Sequence, residues 1–116
     1  MPDNDRFLRL LGLARRAGKT VVGAPLVFAT MHKGRPPALV VAAADASPAS
    51  QKKIRSQCEY YRVPLIETPY PKEILAHTVG KEGPVAAIAV LDAGLAEELR
   101  KSSGKEAADP VGGEEM

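Results

Sequence analysis

The stretch ALVVAAADASP, residues 38–48, decides the fold class. Its first seven residues are continuously apolar, which is typical of a strand that is covered on both faces. Ser47 is a good helix N-cap, and Pro48 suits the first helical position because the N–H that it lacks would have no intrahelical partner. The stretch therefore predicts a buried strand that is followed at once by a helix.

The same alternation of strands and helices extends in both directions from this stretch. We predict helices at about 4–17, 24–33, 48–61, 72–79 and 93–101, and strands at 20–22, 38–44, 63–67 and 84–91. Four short strands among five helices predict an α/β fold, a three-layer α/β/α sandwich in a single domain over residues 1–101. The remaining residues, 102–116, are polar and rich in glycine, and they predict a disordered tail.

Composition places the chain among ordinary one-domain proteins. Its 116 residues are 45% hydrophobic, with 4% aromatic residues and no Trp, so the core should be aliphatic. A single cysteine rules out an internal disulfide framework and suits a reducing compartment. The opening residues MPDNDRF are polar and acidic, unlike a secretory signal, and no apolar stretch is long enough to span a bilayer. We therefore expect a cytoplasmic protein, a monomer, with no membrane partner.

Charge is distributed unevenly along the chain. Residues 1–63 carry eleven Lys or Arg and four acidic residues, a net charge of +7, whereas residues 64–116 carry five and ten, a net charge of −5. This split predicts one basic face for a polyanion. The alternative is chance clustering of charge on a solvated surface.

Cationic residues and a glycine flank the first predicted strand, in ARRAGKTVVG at residues 14–23. A glycine between a strand and a helix lets the backbone approach another molecule, and the first N–H groups of the helix attract anions. We predict phosphate contacts at Arg15, Arg16, Lys19 and Gly23. The alternatives are arginines that suit a helix C-terminus and a glycine that merely starts a helix.

A second group of cations lies near the start of the helix at 48–61. Lys52, Lys53 and Arg55 oppose the helix dipole there, which favours a binding role over an ordinary solvated face. Plain surface charge remains the alternative for these residues.

Catalytic and metal-binding patterns are not evident in the sequence. It contains no nucleophile elbow, phosphate-binding Walker loop or paired-carboxylate motif. Cys58 is on the apolar side of its helix, which favours a core role, and His32 and His77 have no partner at metal-ligand spacing. We expect no enzyme activity, no cofactor and no metal.

Four separated segments resemble the ribosomal-protein L7Ae/L30e family, whose members bind kink-turn and related bent RNAs. They are LLGLARRAGKTVVGAPLV, LVVAAADASP, QCEYYRVPLIE and GKEGPVAAIAVLD, within residues 10–92 and in the order and spacing of the family. The likeness is greatest to the small bacterial YlxQ-like branch. The resemblance implies an α/β/α sandwich around a mixed four-stranded sheet.

The resemblance also implies an RNA-binding element at the start of the second helix. Family members carry Gly-x-Asn-Glu-x-x-Lys there, and this chain has its glycine at Gly23, followed by Ala24. Pro25, Leu26 and Ala29 occupy the Asn, Glu and Lys positions, whose side chains read the sheared G·A pairs of a kink-turn. The base-reading residues are therefore missing, and the resemblance implies binding through phosphates and RNA shape.

Two loops complete the implied interface. Asp45 matches the family in the loop after the central strand, while Ser47 replaces an acid that is common in kink-turn binders. Asp45 has a simpler alternative, a cap on the turn into the Ser47 helix. Thr68 starts the other loop, where Tyr70 either stacks on a base or packs against the prolines beside it.

The function expected from these observations is non-catalytic binding of structured RNA, with ribosomal RNA as a candidate. One alternative is a protein-interaction module, with a ribosomal or other protein partner, that keeps the fold without kink-turn recognition. Another is the RNA-recognition part of a methyltransferase whose catalytic domain is a separate subunit.

Overall fold

Five helices and four strands alternate along the part of the chain that the structure describes. A computed structural model gives the backbone of residues 2–103 and the side chains from residue 6 onward. The elements are α1 (Pro2–Arg16), β1 (Thr20–Val22), α2 (Ala24–His32), β2 (Leu39–Ala42), α3 (Pro48–Tyr61), β3 (Leu65–Glu67), α4 (Lys72–Thr78), β4 (Ala87–Val90) and α5 (Ala93–Ser102). None of these helices has the length and apolar character needed to cross a membrane.

The strands form one mixed sheet in the order β1-β4-β2-β3. β4 is antiparallel to both of its neighbours, with Val22 opposite Ile88 and Ala42 opposite Ala87, whereas β2 and β3 are parallel. The ends of β1, β2 and β3 therefore lie at one edge of the sheet, together with the start of β4.

Alternate residues of the two central strands serve two separate cores. In β2, Leu39 and Val41 face a core that α1, α4 and α5 cover, and Val40 and Ala42 face a second core beneath α2 and α3. All eight residues of β2 and β4 are buried. This double burial is why both strands are apolar without interruption, and it confirms the predicted three-layer α/β/α sandwich.

Several predicted element boundaries were wrong by a few residues. β4 begins at Ala87 rather than at residue 84, because the backbone N–H of the buried Val85 donates to the carbonyl of Lys72 (3.3 Å) rather than to a neighbouring strand. β2 and β3 are also shorter than predicted.

The C-terminal helix also differs from the prediction. α5 includes Ser102, which is 5% exposed and donates its hydroxyl to the carbonyl of Leu99 (3.2 Å). The tail predicted from residue 102 is therefore wrong for Ser102, and residues 104–116 of that prediction lie outside the described residues.

Candidate nucleic-acid interface

Candidate binding residues lie at two opposite edges of the sheet, one where three helices begin and one where three helices end. At the helix-start edge (residues 23–26, 43–48 and 67–72), β1, β2 and β3 end and α2, α3 and α4 begin. At the basic edge (residues 13–19, 30–38 and 58–64), α1, α2 and α3 end and the chain turns into the next strand. The strands that separate the two edges are three or four residues long, about 10–13 Å.

Gly23 occupies the helix-start edge in a conformation that favours glycine. Its φ is 103° and its ψ is 134°, a backbone conformation that residues other than glycine rarely adopt. Its N–H donates to the carbonyl of Ala87 (2.9 Å), and an added Cβ would meet nothing within 4 Å. The backbone is thus both fixed in place and open to an approaching molecule.

The first turn of α2 presents few polar groups. Pro25 has no N–H, so the N–H groups of Ala24 and Leu26 are the ones left without a partner inside the helix. Pro25 and Ala29 are exposed, Leu26 is 58% exposed and Ala24 is half-buried. At this turn the chain therefore offers backbone N–H groups and apolar side chains.

The loop after β2 uses its polar side chains within the protein. Ser47 caps α3 as predicted, its Oγ accepting from the N–H of Ser50 (3.1 Å). Asp45 does not cap that helix. Its Oδ1 accepts from the N–H of Lys72 (2.8 Å), at the start of α4, so it ties two loops of the helix-start edge together.

The loop after β3 holds the side chains of Thr68 and Tyr70 against the protein. Thr68, expected to contact RNA, is 5% exposed, and its Oγ1 donates to the carbonyl of Ala42 (2.9 Å). The ring of Tyr70 stacks on Phe7, a contact that the sequence did not predict, at 6.0 Å between centroids. Both side chains shape the edge from within.

Lys52 and Lys53 lie on the first turns of α3, and both are exposed. The Nζ of Lys53 is 4.6 Å from the centroid of the Phe28 ring on α2, a cation–π contact that joins the two helices. Among the described residues, Lys52 has no carboxylate within ion-pair distance. Its charge therefore faces solvent beside the helix-start edge.

Sequence reasoning missed a cleft of about 190 Å³ beside these lysines. Arg55 and Glu67 pair across it (Nε to Oε2, 2.5 Å), and the hydrogen bond to Glu67 raises the pKa of Arg55. The pairing neutralises Arg55, which the sequence had grouped with the free cations. The sequence places Glu67 at the end of a strand, but only the pairing of β3 with β2 shows that its carboxylate lies within reach of Arg55. The cleft is lined by residues 42–44, Gln51, Ile54, Arg55, Glu67 and Thr68.

Arg15, Arg16 and Lys19 do not lie beside Gly23. They belong to the basic edge, and β1 separates them from the helix-start edge. The Nε of Arg15 donates to the carbonyl of Val79 (3.2 Å), just beyond α4, so this arginine supports the end of a helix other than its own. Phosphate contacts at Arg15, Arg16 and Lys19 therefore stay a prediction, at an edge separate from that of Gly23.

A cluster of rings at the basic edge was also missed. Tyr60 is 77% exposed and meets Tyr61 edge to face, with centroids 4.8 Å apart. Tyr61 lies against His32 (5.8 Å), whose Nε2 is 3.1 Å from Oε1 of Gln57. The sequence signal was the Tyr-Tyr-Arg at the end of a helix whose other apolar positions, Ile54 and Cys58, fill the core.

Neither a metal centre nor a reactive thiol is present among the described residues. No three His, Cys, Asp or Glu side chains in that part of the chain are placed to share a metal ion. Cys58 is buried as predicted, and burial raises the pKa of its thiol to about 12, with a smaller contribution from Glu67. The thiol is thus protonated at neutral pH.

Residues 5–100 match the model of the Ribosomal protein L7Ae/L30e/S12e/Gadd45 family. The chain belongs to this family. It is 40% identical over 90 residues to the "RNA-binding protein YlxQ" of Bacillus subtilis (strain 168), a match that covers 78% of this chain and 87% of that protein. It is 31% identical over 99 residues to the YlxQ protein of Enterococcus faecium, covering 85% and 92% of the two chains. These relatives confirm the YlxQ-like branch.

Solved structures agree with the fold. A protein of unknown function from Bacillus halodurans C has a TM-score of 0.76 and 29% identity, over 85% of this chain and 97% of that one. The "15.5kD RNA binding protein" of Giardia lamblia has a TM-score of 0.72 and 20% identity, over 90% and 87%. Both structures thus share the fold of this chain at low sequence identity.

Proposed function

We propose that the chain binds structured RNA through the helix-start edge, without catalysis and without a cofactor. The observation that carries the proposal is the family match over residues 5–100, together with two relatives that are named RNA-binding proteins. Ribosomal RNA is the first candidate partner, and we propose that the protein acts in the cytoplasm as a monomer.

The geometry of the helix-start edge supports this function. Three helices begin there, and the positive ends of α2 and α3, the longer two, add their partial charges to those of Lys52 and Lys53. Gly23 leaves its backbone open, and Asp45 holds two loops in a fixed relation through the N–H of Lys72. A rigid surface with N–H donors suits phosphate groups held in a fixed, bent arrangement.

The mode of recognition we propose is contact with phosphates and RNA shape. Pro25, Leu26 and Ala29 stand where the resemblance places Asn, Glu and Lys, and their side chains have no groups that hydrogen-bond to base edges. Phosphate contacts position a protein on RNA without reading its sequence. An RNA that is bent without sheared G·A pairs should therefore bind nearly as well as a kink-turn, whereas a straight duplex should bind much more weakly.

The decisive experiment reverses the charge at Lys52 and Lys53 and measures the affinity for a kink-turn RNA over a range of salt concentrations. We expect Lys52→Glu with Lys53→Glu to weaken binding at least tenfold, and to reduce the slope of log K against log salt by about 2, roughly one for each lost phosphate contact. Lys81→Glu with Lys101→Glu is the matched control, because it changes the net charge by the same amount outside both edges. Equal loss in the two double variants, or no measurable affinity of the wild type, contradicts the proposal.

A protein-interaction module is the second candidate function. Leu26 is 58% exposed at the start of α2, beside the exposed Pro25 and Ala29, and this favours an apolar contact. Leu26→Gln separates the candidates, because a neutral polar side chain should abolish an apolar protein contact, keep the backbone N–H and leave RNA affinity within about threefold. The Lys52 and Lys53 reversals should have the opposite pattern.

A further inference from the structure

Tyr60, at the basic edge, is a large aromatic side chain that lies mostly in solvent. Tyr60 is 77% exposed, while each of the other four aromatic residues of the chain is buried or half-buried. Its ring is held edge to face against Tyr61, which in turn lies on His32. The flat face of Tyr60 is thus presented to solvent by a supported cluster.

Cations outnumber acids around this cluster. Residues 13–19, 30–38 and 58–64 carry six exposed Lys or Arg side chains and one acidic residue, Glu59. The six are Arg15, Arg16, Lys19, Lys33, Arg35 and Arg62. Asp92, which follows β4 at the same edge, is engaged as the N-cap of α5 and accepts from the N–H of Leu95 (2.8 Å).

Capping of a helix end accounts for Arg15, whose Nε donates to the carbonyl of Val79 at the end of α4, but not for the four cations of the other turns. The last carbonyls of α3 accept the backbone N–H of Arg62, and those of α2 accept the backbone N–H of Lys33, so these two side chains are not the caps. Lys19 and Arg35 lie three residues beyond the ends of α1 and α2. The side-chain charge is therefore available to a ligand.

We propose that the basic edge is a second RNA-binding surface, on which an unpaired base stacks on Tyr60 while the surrounding cations contact the phosphates. An exposed aromatic face within a positive surface is the arrangement that binds single-stranded nucleic acid. Base faces are hidden inside a duplex, so the ligand is single-stranded RNA. The inference rests on the proposed function, since it adds a single-stranded segment to the structured RNA bound at the other edge.

The helix-start edge does not offer the same chemistry. Phe28 lies under the Nζ of Lys53, and Tyr70 is stacked on Phe7, so one face of each ring is already occupied within the protein. The two edges therefore divide recognition between shape and stacking.

Tyrosine fluorescence provides a direct test, because the chain has no Trp and two of its three Tyr lie in the cluster. An oligouridylate of about ten nucleotides, within the usual range of single-strand site sizes, is titrated into the full chain at low salt. We expect quenching of the fluorescence, a loss of affinity of at least fivefold in Tyr60→Ala, and affinity within about twofold of wild type in Tyr60→Phe, which keeps the ring.

Kink-turn RNA measured on the same proteins separates this inference from the proposed function. If the oligouridylate does not bind, or binds Tyr60→Ala as well as wild type while kink-turn RNA still depends on Lys52 and Lys53, the second surface is wrong and the first stands. If the oligouridylate depends on Tyr60 and kink-turn RNA does not bind, the proposed function is wrong and the stacking surface stands. If Tyr60→Ala binds neither RNA and its circular dichroism spectrum is altered, the variant is misfolded. Tyr60→Leu, which keeps the apolar bulk without the ring, is then measured in its place. Retained oligouridylate affinity in that folded variant overturns the inference.

Discussion

The two edges of the sheet place charge and backbone in opposite ways. At the helix-start edge, three helices begin, the side chains are partly apolar, and Arg55 is neutralised by Glu67. The first N–H groups of α2 are open, whereas N–H groups at the starts of α3 and α4 bond to Ser47 and Asp45. At the basic edge, α1, α2 and α3 end, the backbone N–H groups of Lys33 and Arg62 cap the last two, and six cationic side chains are exposed. α5 begins at the same edge, with its first turn capped by Asp92. Strand β1 is enough to send Lys19 and Gly23, which are four residues apart, to different edges. Charged residues that are neighbours in the sequence can therefore lie on different surfaces, because an intervening strand carries the chain from one edge of the sheet to the other.

The largest expected effect concerns the stability of the core beneath α3, the helix that runs from the helix-start edge to the basic edge. Cys58 is buried under α3, and its thiol has its pKa raised from 9.0 to about 12. The unfolded chain releases this proton from about pH 9, whereas the folded chain keeps it, so stability is intact below pH 9 and falls as the pH approaches 12. The loss attributable to Cys58 should reach up to ~4 kcal/mol.

Urea unfolding of wild type and Cys58→Ala between pH 8 and about pH 12 checks this effect. The variant lacks the ionisable group, so its deficit in unfolding free energy should shrink as the pH rises. A deficit that stays constant over this range would show that the thiol does not titrate differently in the two states.

Gly23→Ala sharpens the contrast at the helix-start edge. The substitution forces a side chain into a φ of 103° and should cost about 1–3 kcal/mol of stability, measured by thermal unfolding. It also places a methyl group in the open space beside the backbone, so kink-turn RNA affinity of the folded fraction should fall as well. Gly18→Ala is the control, because Gly18 also has a positive φ, of 72°, but lies at the basic edge. Similar loss of kink-turn affinity in both variants would remove the distinction between the edges.

Thr68→Val tests whether the helix-start edge uses this residue for structure or for binding. Loss of the hydrogen bond to the buried carbonyl of Ala42 should lower the unfolding free energy by about 1–2 kcal/mol. RNA affinity of the folded protein should change by less than about twofold, because the hydroxyl does not reach the surface. A stable variant with much weaker RNA binding would restore Thr68 as a contact residue.

Arg62→Gly has the smallest expected effect on stability, and the effect is favourable. Arg62 is the only described residue other than glycine with a positive φ, 59°, and it ends α3 in the left-handed conformation. Glycine there should stabilise the fold by up to about 1 kcal/mol, visible as a higher Tm. The same change removes a cation from the basic edge and should weaken oligouridylate binding, so stability and affinity should move in opposite directions.

Local signals predicted the fold well. Ser47 and Pro48 specify the start of α3 through contacts within three residues, and the apolar runs of β2 and β4 reveal strands buried on both faces. The strand ends were overextended because burial alone does not reveal pairing. Val85 is fully buried, yet its N–H bonds to a helix start rather than to a strand.

Contacts between distant residues explain why the site was harder to predict. Asp45 bonds to Lys72, 27 residues away, and Thr68 to Ala42, 26 residues away, and neither partner is visible without the sheet register. Arg15 and Gly23 looked like one site because they are close in sequence. The tyrosine cluster depends on α2 and α3 lying side by side, which no single segment encodes.

The most direct test of the account is a titration of the isotopically labelled chain with kink-turn RNA, followed by NMR of the backbone amides. Recognition through the start of α2 predicts that the largest chemical-shift changes occur at the helix-start edge, at the N–H groups of Ala24 and Leu26 and in the loop at residues 44–47. Smaller changes are expected at the basic edge. Large shifts confined to the basic edge, with Ala24 and Leu26 unchanged at saturation, would contradict recognition through the start of α2.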